Sequence, residues 1–276
     1  MKLGVCAFVT DRGLGICELA RRVEDAGLES LLVVQNTHVP VSGAALLDEE
    51  LHKRDHHLLD PFAALSAAAA VTTRIRLGTG ICVVPIYDPI ILAMQVCTLD
   101  HLSSGRFLFG IGLGHDDTVD NHGVSAGQRA DVGREKVLAM KALWAAGDAE
   151  FHGRSVDFAP VLTGLRPLQE PHPPILIGRQ GRRGIADTVD YGDGWMPIVY
   201  PELDLGGQVD ELRLRCQAAG RPAAPVTAAL PELDEQLLER CAGLGVDRSV
   251  VVVHAEDEDG FPAFLKRYSA LADRFG

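Results

Sequence analysis

Two histidines in this chain stand at or shortly after the ends of short apolar runs. His38 closes the run from Leu31 through Val34, Gln35, Asn36 and Thr37, and His115 follows the glycine-rich run from Phe107 to Gly114. An imidazole changes charge near neutral pH, so a histidine at the end of a buried strand suits general acid or base work. Asn36 can hydrogen-bond but cannot exchange a proton at neutral pH. Gly178-Arg179-Gln180-Gly181-Arg182-Arg183-Gly184 offers a different chemistry. A glycine-bounded turn into a helix start, carrying three arginines, suits a phosphate through free N–H groups, the helix dipole and guanidinium forks. The bland alternatives are a histidine packed in its loop and a solvent-exposed basic turn. His52, Asp55 and His56 have i, i+3, i+4 spacing and could in principle hold a metal. A solvated loop or substrate lid over Val39 to Leu59, with no metal, is the expectation.

The elements that must position these groups follow a rhythm of strand, crossover helix and strand. Asp60-Pro61 and Asp88-Pro89 each place a side-chain acceptor at a helix cap with proline at the first helical position. Strands are expected at Lys2 to Phe8, Ser30 to Val34, Ile75 to Val84, Arg106 to Gly112, Pro173 to Gly178, Asp193 to Pro197, Pro225 to Leu230 and Arg248 to His254. Between them the patterning predicts helices over Gly15 to Ala26, Phe62 to Val71, onward from Pro89, Val132 to Ala146, Leu203 to Ala219, Pro231 to Gly243 and Glu258 to Phe275. Val137, Met140, Lys141 and Trp144 form a core stripe, the last helix closes the barrel bottom or side, and Ala149 to Phe158 reads as a β-hairpin. Parallel pairing with covered faces follows, and the spacing is what a (β/α)8 TIM barrel needs. Strand C-terminal ends face the active site in such a barrel, which gathers the groups above at one mouth. Gly112 and Gly114 do not make a dinucleotide-binding turn, because position 117 is aspartate and no helix is expected to start at once. The polar loop from Asp117 to Asp131 contains Asn121-His122-Gly123, for which the sequence suggests no role.

Several of these stretches, in this order, resemble the luciferase-like monooxygenase superfamily, and within it the coenzyme F420-dependent oxidoreductases. They are DPFAALSAAAAVTTRIRLGTG, the following Asp-Pro, LSSGRFLFGIGLG, PHPPILIG and DYGDGWMP. The likeness runs from about Leu3 to about Pro197, with barrel rhythm beyond. It implies a bacterial-luciferase-like barrel with loop and hairpin insertions, a homodimer, and F420 or, alternatively, FMN bound at the mouth. It further implies a bulge with a non-prolyl cis peptide at Gly80-Ile81 beneath the cofactor ring. Cofactor contacts are then expected from Gln35, Gly80, Ile81, Val83, Gly112, Leu113, Gly114, Gly178, Arg179, Gln180 and Gly181, and catalytic roles from His38, His115 and Asn36. Relatives usually carry an acid-histidine pair where this chain has Gln35-Asn36, and paired glycines where it has Gly178-Arg179. The expected activity is hydride transfer between F420 and a small organic substrate. The alternatives are an FMN-dependent monooxygenase and a catalytically silent flavin-binding protein.

Length and charge bound the remaining choices. The 276 residues suit one α/β barrel domain spanning 1–276. A formal charge of −12 argues against nucleic acid and against a polybasic membrane patch. Apolar stretches are interrupted well short of the ~20 residues that a membrane helix needs. Cys6, Cys17, Cys82, Cys97, Cys216 and Cys241 have no CxxC or zinc spacing, so reduced thiols in a cytoplasmic protein are expected.

Overall fold

The computed structural model describes residues 1–39, 57–254 and 260–275. The barrel strands are β1 (Lys2–Phe8), β2 (Ser30–Val33), β3 (Arg76–Thr79), β5 (Phe107–Gly112), β8 (Ile175–Ile177), β9 (Gly194–Trp195), β10 (Thr227–Leu230) and β11 (Arg248–His254). They pair in parallel in the order β10-β11-β1-β2-β3-β5-β8-β9. Parallel bridges from Trp195 to Val226 and from Ile198 to Ala229 join the two ends, so the ring is nearly closed. The short β4 (Cys82–Val83) continues the line of β3 beyond a break and pairs with β5. Antiparallel β6 (Ala149–His152) and β7 (Asp157–Val161) form the expected hairpin outside the ring.

The helices arise where caps and apolar spacing put them: α1 (Ile16–Asp25), α2 (Pro61–Val71), α3 (Pro89–Leu102), α4 (Asp116–Asn121), α5 (Arg129–Trp144), α6 (Gly181–Asp190), α7 (Leu205–Ala218), α8 (Glu235–Gly243) and α9 (Phe261–Phe275). Asp60 accepts from the Ala63 N–H at 2.9 Å, and Asp88 from the Ile90 and Ile91 N–H groups. Both aspartates satisfy N–H groups that the first helical turn leaves orphaned. The barrel interior is a small apolar layer that includes Cys6, Leu32, Leu108, Leu176, Met196 and Val250. A larger core lies between strands and helices, and Val137, Met140 and Trp144 are buried in it as their spacing predicts.

Three expectations are corrected. A helix does start at once after Gly114: His115 is the extended residue ahead of α4, whose first turn carries Asp116 and Asp117. Those carboxylates complement the positive helix end, a gain that glycine-rich surroundings hid. Buried Val119 anchors the short helix beneath. The run from Ile75 to Val84 is two strands rather than one, broken at Gly80-Ile81. The sixth strand shrinks to Gly194–Trp195, its continuation being the single bridge at Ile198. The last helix covers the barrel side, where buried Tyr268 donates to the Ser249 carbonyl on β11 at 3.2 Å. His52, Asp55 and His56 lie outside the described residues, and no group of three or more metal-ligating side chains occurs among the described ones.

One carboxylate at the end of the barrel opposite the strand C-termini holds a loop in place. Glu24, near the end of α1, is only 9% exposed. It accepts from the backbone N–H groups of Thr73, Arg74 and Ile75 at 2.7–3.2 Å, where the chain turns from α2 into β3. Burial alone would raise its pKa, but the bonds from Ile75, Arg74 and Thr73 prevail and hold it below the ordinary 4.5. A carboxyl depressed on folding contributes stability that is present above its unfolded pKa and lost as pH falls through its folded pKa. Glu24→Gln is therefore expected to cost about 2 kcal/mol at pH 7, the scale of hydrogen bonds to a charged group. The deficit should shrink as the pH is lowered below 4.5. Urea unfolding of both proteins at pH 7 and pH 4 measures it; an equal deficit at the two values would remove the charge from the explanation.

Candidate functional site at the barrel mouth

The site is built around the backbone break between β3 and β4. The Gly80–Ile81 peptide is cis. The glycines that make the neighbouring strands look ligand-ready turn out to seat this feature. A Cβ on Gly112 would lie 2.4 Å from Ile81 Cδ1, and one on Gly178 would lie 2.5 Å from Ile81 Cγ2. The ends of β5 and β8 thus leave a slot that the Ile81 side chain fills. A Cβ on Gly110 would lie 2.0 Å from the Thr79 carbonyl oxygen, and one on Gly80 2.7 Å from Cys6 Sγ. Real Cβ atoms do not approach this closely, so a side chain at any of these positions forces a neighbour to shift, most severely at Gly110, where the neighbour is backbone. Gly114 adds a left-handed φ of +70° beside Val83.

Gln35 braces the same feature from β2. Its Oε1 accepts from the Val83 N–H at 2.7 Å, and its Nε2 donates to the Tyr87 hydroxyl. Both ends of the amide are therefore committed to the protein. An ionised acid here would have no donor to offer Tyr87 as the amide does. Burial pushes the Tyr87 hydroxyl well above its usual range, so it stays a neutral phenol. Burial likewise pushes the Cys6 thiol up to about 12, which makes it a packing group rather than a nucleophile.

The histidines occupy different settings. His38 bonds through Nδ1 to Thr37 Oγ1 at 2.9 Å and through Nε2 to Asn121 Nδ2 at 2.9 Å. Thr37 Oγ1 also lies 3.3 Å from His122 Nε2, and the two imidazole rings are 5.5 Å apart. His115 is exposed at the start of α4, where its carbonyl accepts from the Val119 N–H at 3.1 Å and its ring forms no hydrogen bond with a described residue. Asn36 is half-buried beside Gln35, its amide likewise without a partner among the described residues. No local pattern groups Thr37, Asn121 and His122 with His38; 83 positions separate His38 from Asn121.

The basic turn after β8 is less uniform than its composition. Arg179 Nη1 pairs with Asp187 on α6 at 2.7 Å, and its carbonyl accepts from Trp195 Nε1 at 2.9 Å. Its side chain lines a cavity of about 10 Å³ with Val84, Ile111, Leu113 and Tyr191, room for a single water. This guanidinium is neutralised inside the protein. Gln180 precedes α6 without capping it, its side-chain amide donating instead to the Ile198 carbonyl at 2.8 Å. Gly181 has φ +63°, and Arg182 and Arg183 are exposed beside it.

A barrel mouth carrying a glycine-seated cis peptide and a bonded histidine can be compared with known proteins. The sequence profile of the luciferase-like monooxygenases matches residues 12–233. The chain belongs to that family. Family members are flavin- or F420-dependent oxidoreductases and monooxygenases, and this protein is an enzyme of that kind. It is 36% identical over 284 residues to an uncharacterised protein of Mycobacterium tuberculosis, covering 98% of both chains. A putative coenzyme F420-dependent oxidoreductase from the same species is 31% identical over 153 residues, 51% of this chain and 44% of that one. The oxygenase component of a flavin-dependent trigonelline monooxygenase from Acinetobacter baylyi is 36% identical over 135 residues, 45% of this chain and 36% of its own. Among solved structures, an F420-dependent secondary alcohol dehydrogenase bound to an F420–acetone adduct superposes with a TM-score of 0.79 at 17% identity, covering 97% of each chain. That likeness shows the TIM-barrel fold.

Proposed function

We propose that this luciferase-like enzyme binds coenzyme F420 at the barrel mouth and moves a hydride between it and a small organic substrate. The observation that carries the reading is His38, a proton-exchanging side chain held on both nitrogens three residues beyond Gln35, which braces the bulge. Hydride transfer to a carbonyl creates an oxyanion that needs a proton, and the reverse reaction needs a base. The partial likeness to a putative F420-dependent oxidoreductase supports the deazaflavin.

The residues present fit such a cofactor. Ile81 and the backbone around it form an apolar shelf for a ring, with Val83, Leu113 and Gly114 at its margin. The uncapped start of α6, from Gln180 to Gly181, fits a phosphate through its backbone N–H groups, with Arg182 and Arg183 beside it; the Gly178 N–H is held by the Ile111 carbonyl at 2.7 Å. Arg179 supports this turn through its carbonyl and its pair with Asp187, and contributes little charge outward. The bound deazaflavin would supply the hydride chemistry. The protein's part is orientation by the shelf and proton exchange at His38, with His115 the second candidate; Asn36 can hydrogen-bond to substrate or cofactor.

The FMN-dependent monooxygenase is the second reading, favoured by the partial likeness to the trigonelline enzyme. A silent flavin-binding protein is the third, kept by Gln35-Asn36 in place of an acid-histidine pair. Fluorescence titration with F420 and FMN, each oxidised and reduced, separates these. Micromolar F420 binding with FMN ignored is the expected result, and turnover then excludes the silent binder. Preference for FMN with oxygen consumption would give the monooxygenase instead.

We place the enzyme in the cytoplasm as a homodimer. Six unpaired cysteines support the first, and no helix among the described residues is long and apolar enough to cross a membrane. An exposed apolar face supports the second: Ile91 is 53% and Met94 56% exposed on α3, around a groove of about 280 Å³ that also involves Trp144 and Leu165. Patches of this kind mark association surfaces. Light scattering on the titrated sample should read twice the 29.6 kDa chain mass.

A further inference from the structure

Three side chains around His38 form a hydrogen-bonded chain whose polarity has to be consistent from end to end. Asn121 Nδ2 meets His38 Nε2, His38 Nδ1 meets Thr37 Oγ1, and Thr37 Oγ1 meets His122 Nε2. In the orientation present, the Asn121 amide N–H donates to His38 Nε2. The His38 proton must then be on Nδ1, donating to Thr37 Oγ1. The threonine hydroxyl proton is left to donate to His122 Nε2. Turning the Asn121 amide moves the His38 proton to Nε2 and leaves Nδ1 to accept from Thr37, whose single hydroxyl proton can go to only one of the two rings.

We propose that Thr37, Asn121 and His122 are positioning residues that set which nitrogen of His38 carries its proton. Protonated His122 must donate from Nε2 to Thr37 Oγ1. The threonine hydroxyl, no longer committed to His122, is then free to donate to His38 Nδ1, a bond made when His38 gives up its Nδ1 proton to solvent and takes one from solvent on Nε2. Asn121 turns its carbonyl oxygen to face that N–H. His122 gains one proton in the process, and His38 stays neutral with its tautomer exchanged. The Nε2–H form suits donation to a substrate oxygen and the Nδ1–H form leaves Nε2 a base, so the two directions of hydride transfer call on opposite polarities. This use of the network rests on the F420 reading; the network itself does not.

Three carboxylates lie on the element that carries Asn121. Asp116 is paired with Arg129, Asp120 accepts from the Ala126 N–H at 3.0 Å, and Asp117 is exposed. None of them bonds to either ring, so the threonine hydroxyl is the link between the two histidines among the described residues.

Imidazole ¹⁵N NMR of the full chain tests this without cofactor or substrate. His38 is expected to show one dominant tautomer when His122 is neutral, and to exchange it for the other as His122 protonates. Thr37→Val should leave His38 a mixture that no longer follows His122, and Thr37→Ser should restore the coupling. His122→Ala, at an exposed position, should abolish the response from the other end. Spectra of His38 unchanged in Thr37→Val and His122→Ala would overturn the proposal. With reduced F420 and a substrate, Thr37→Val should lower kcat roughly tenfold at unchanged KM, a fraction of what general acid–base catalysis supplies. Coupled spectra with no F420 turnover would sustain the network and remove the F420 reading. Turnover with uncoupled spectra would do the opposite.

Discussion

Gly110→Ala is expected to cost roughly 3 kcal/mol of stability, the upper end of the overpacking range. Gly110 lies in β5 directly beneath Thr79, whose hydroxyl donates to the Gly110 carbonyl at 2.6 Å in a buried setting. The added methyl would lie 2.0 Å from the Thr79 carbonyl oxygen, a backbone atom fixed by the peptide leading into Gly80. No rotamer change relieves it, so β3 must move away from β5 where the cis peptide begins. For a barrel of this size the loss corresponds to a fall in Tm of about 6–12 °C. The same displacement should abolish cofactor binding, because the shelf and its support move together. Two comparisons isolate the cause. Gly112→Ala meets the tip of Ile81, a flexible side chain, so its cost should be smaller and partly relieved by Ile81→Val, which removes the atom it strikes. Gly127→Ala meets nothing within 4 Å and should be neutral. Thermal unfolding of the set measures this; Gly110→Ala no less stable than Gly127→Ala would mean that β3 and β5 have freedom at this point that their packing denies.

This series also shows what the sequence could and could not reveal. Asp-Pro caps and strand-helix rhythm are local, and they placed α2, α3 and most barrel strands to within a residue or two. The glycines of β5 and β8 were legible as places of close approach, but their partner was not. They accommodate Ile81, a contact between segments about 30 and 100 positions apart that no periodicity encodes. Arg179 illustrates a different limit. Composition made it a phosphate ligand, whereas its neutralisation by Asp187 depends on the turn that opens α6. Gln35 belongs to the expected cofactor site, and what its sequence position does not reveal is that its amide holds Val83 and Tyr87. The histidine chain was the least visible feature, since Asn121 and His122 gain meaning only when α4 is carried over to the end of β2.

His38→Gln is expected to lower kcat by about 10²–10³-fold with little change in KM, the magnitude of losing a general acid or base. A glutamine amide can still hydrogen-bond to Thr37 and Asn121, so local order and thermal stability should hold, separating chemistry from folding. The predicted asymmetry with His115 is the sharper test. His115 has no bonded partner among the described residues to fix its ring, whereas both His38 nitrogens are engaged. Positioning is a large part of what makes an acid or base effective, because a mobile ring spends little time in a productive geometry. His115→Asn should therefore cost only a few-fold by the same reasoning. Steady-state rates of both variants with reduced F420, across pH 5.5–8.5, decide between them. A collapse confined to His115→Asn would transfer the proton-exchanging role to the start of α4 and leave His38 a structural link between β2 and α4.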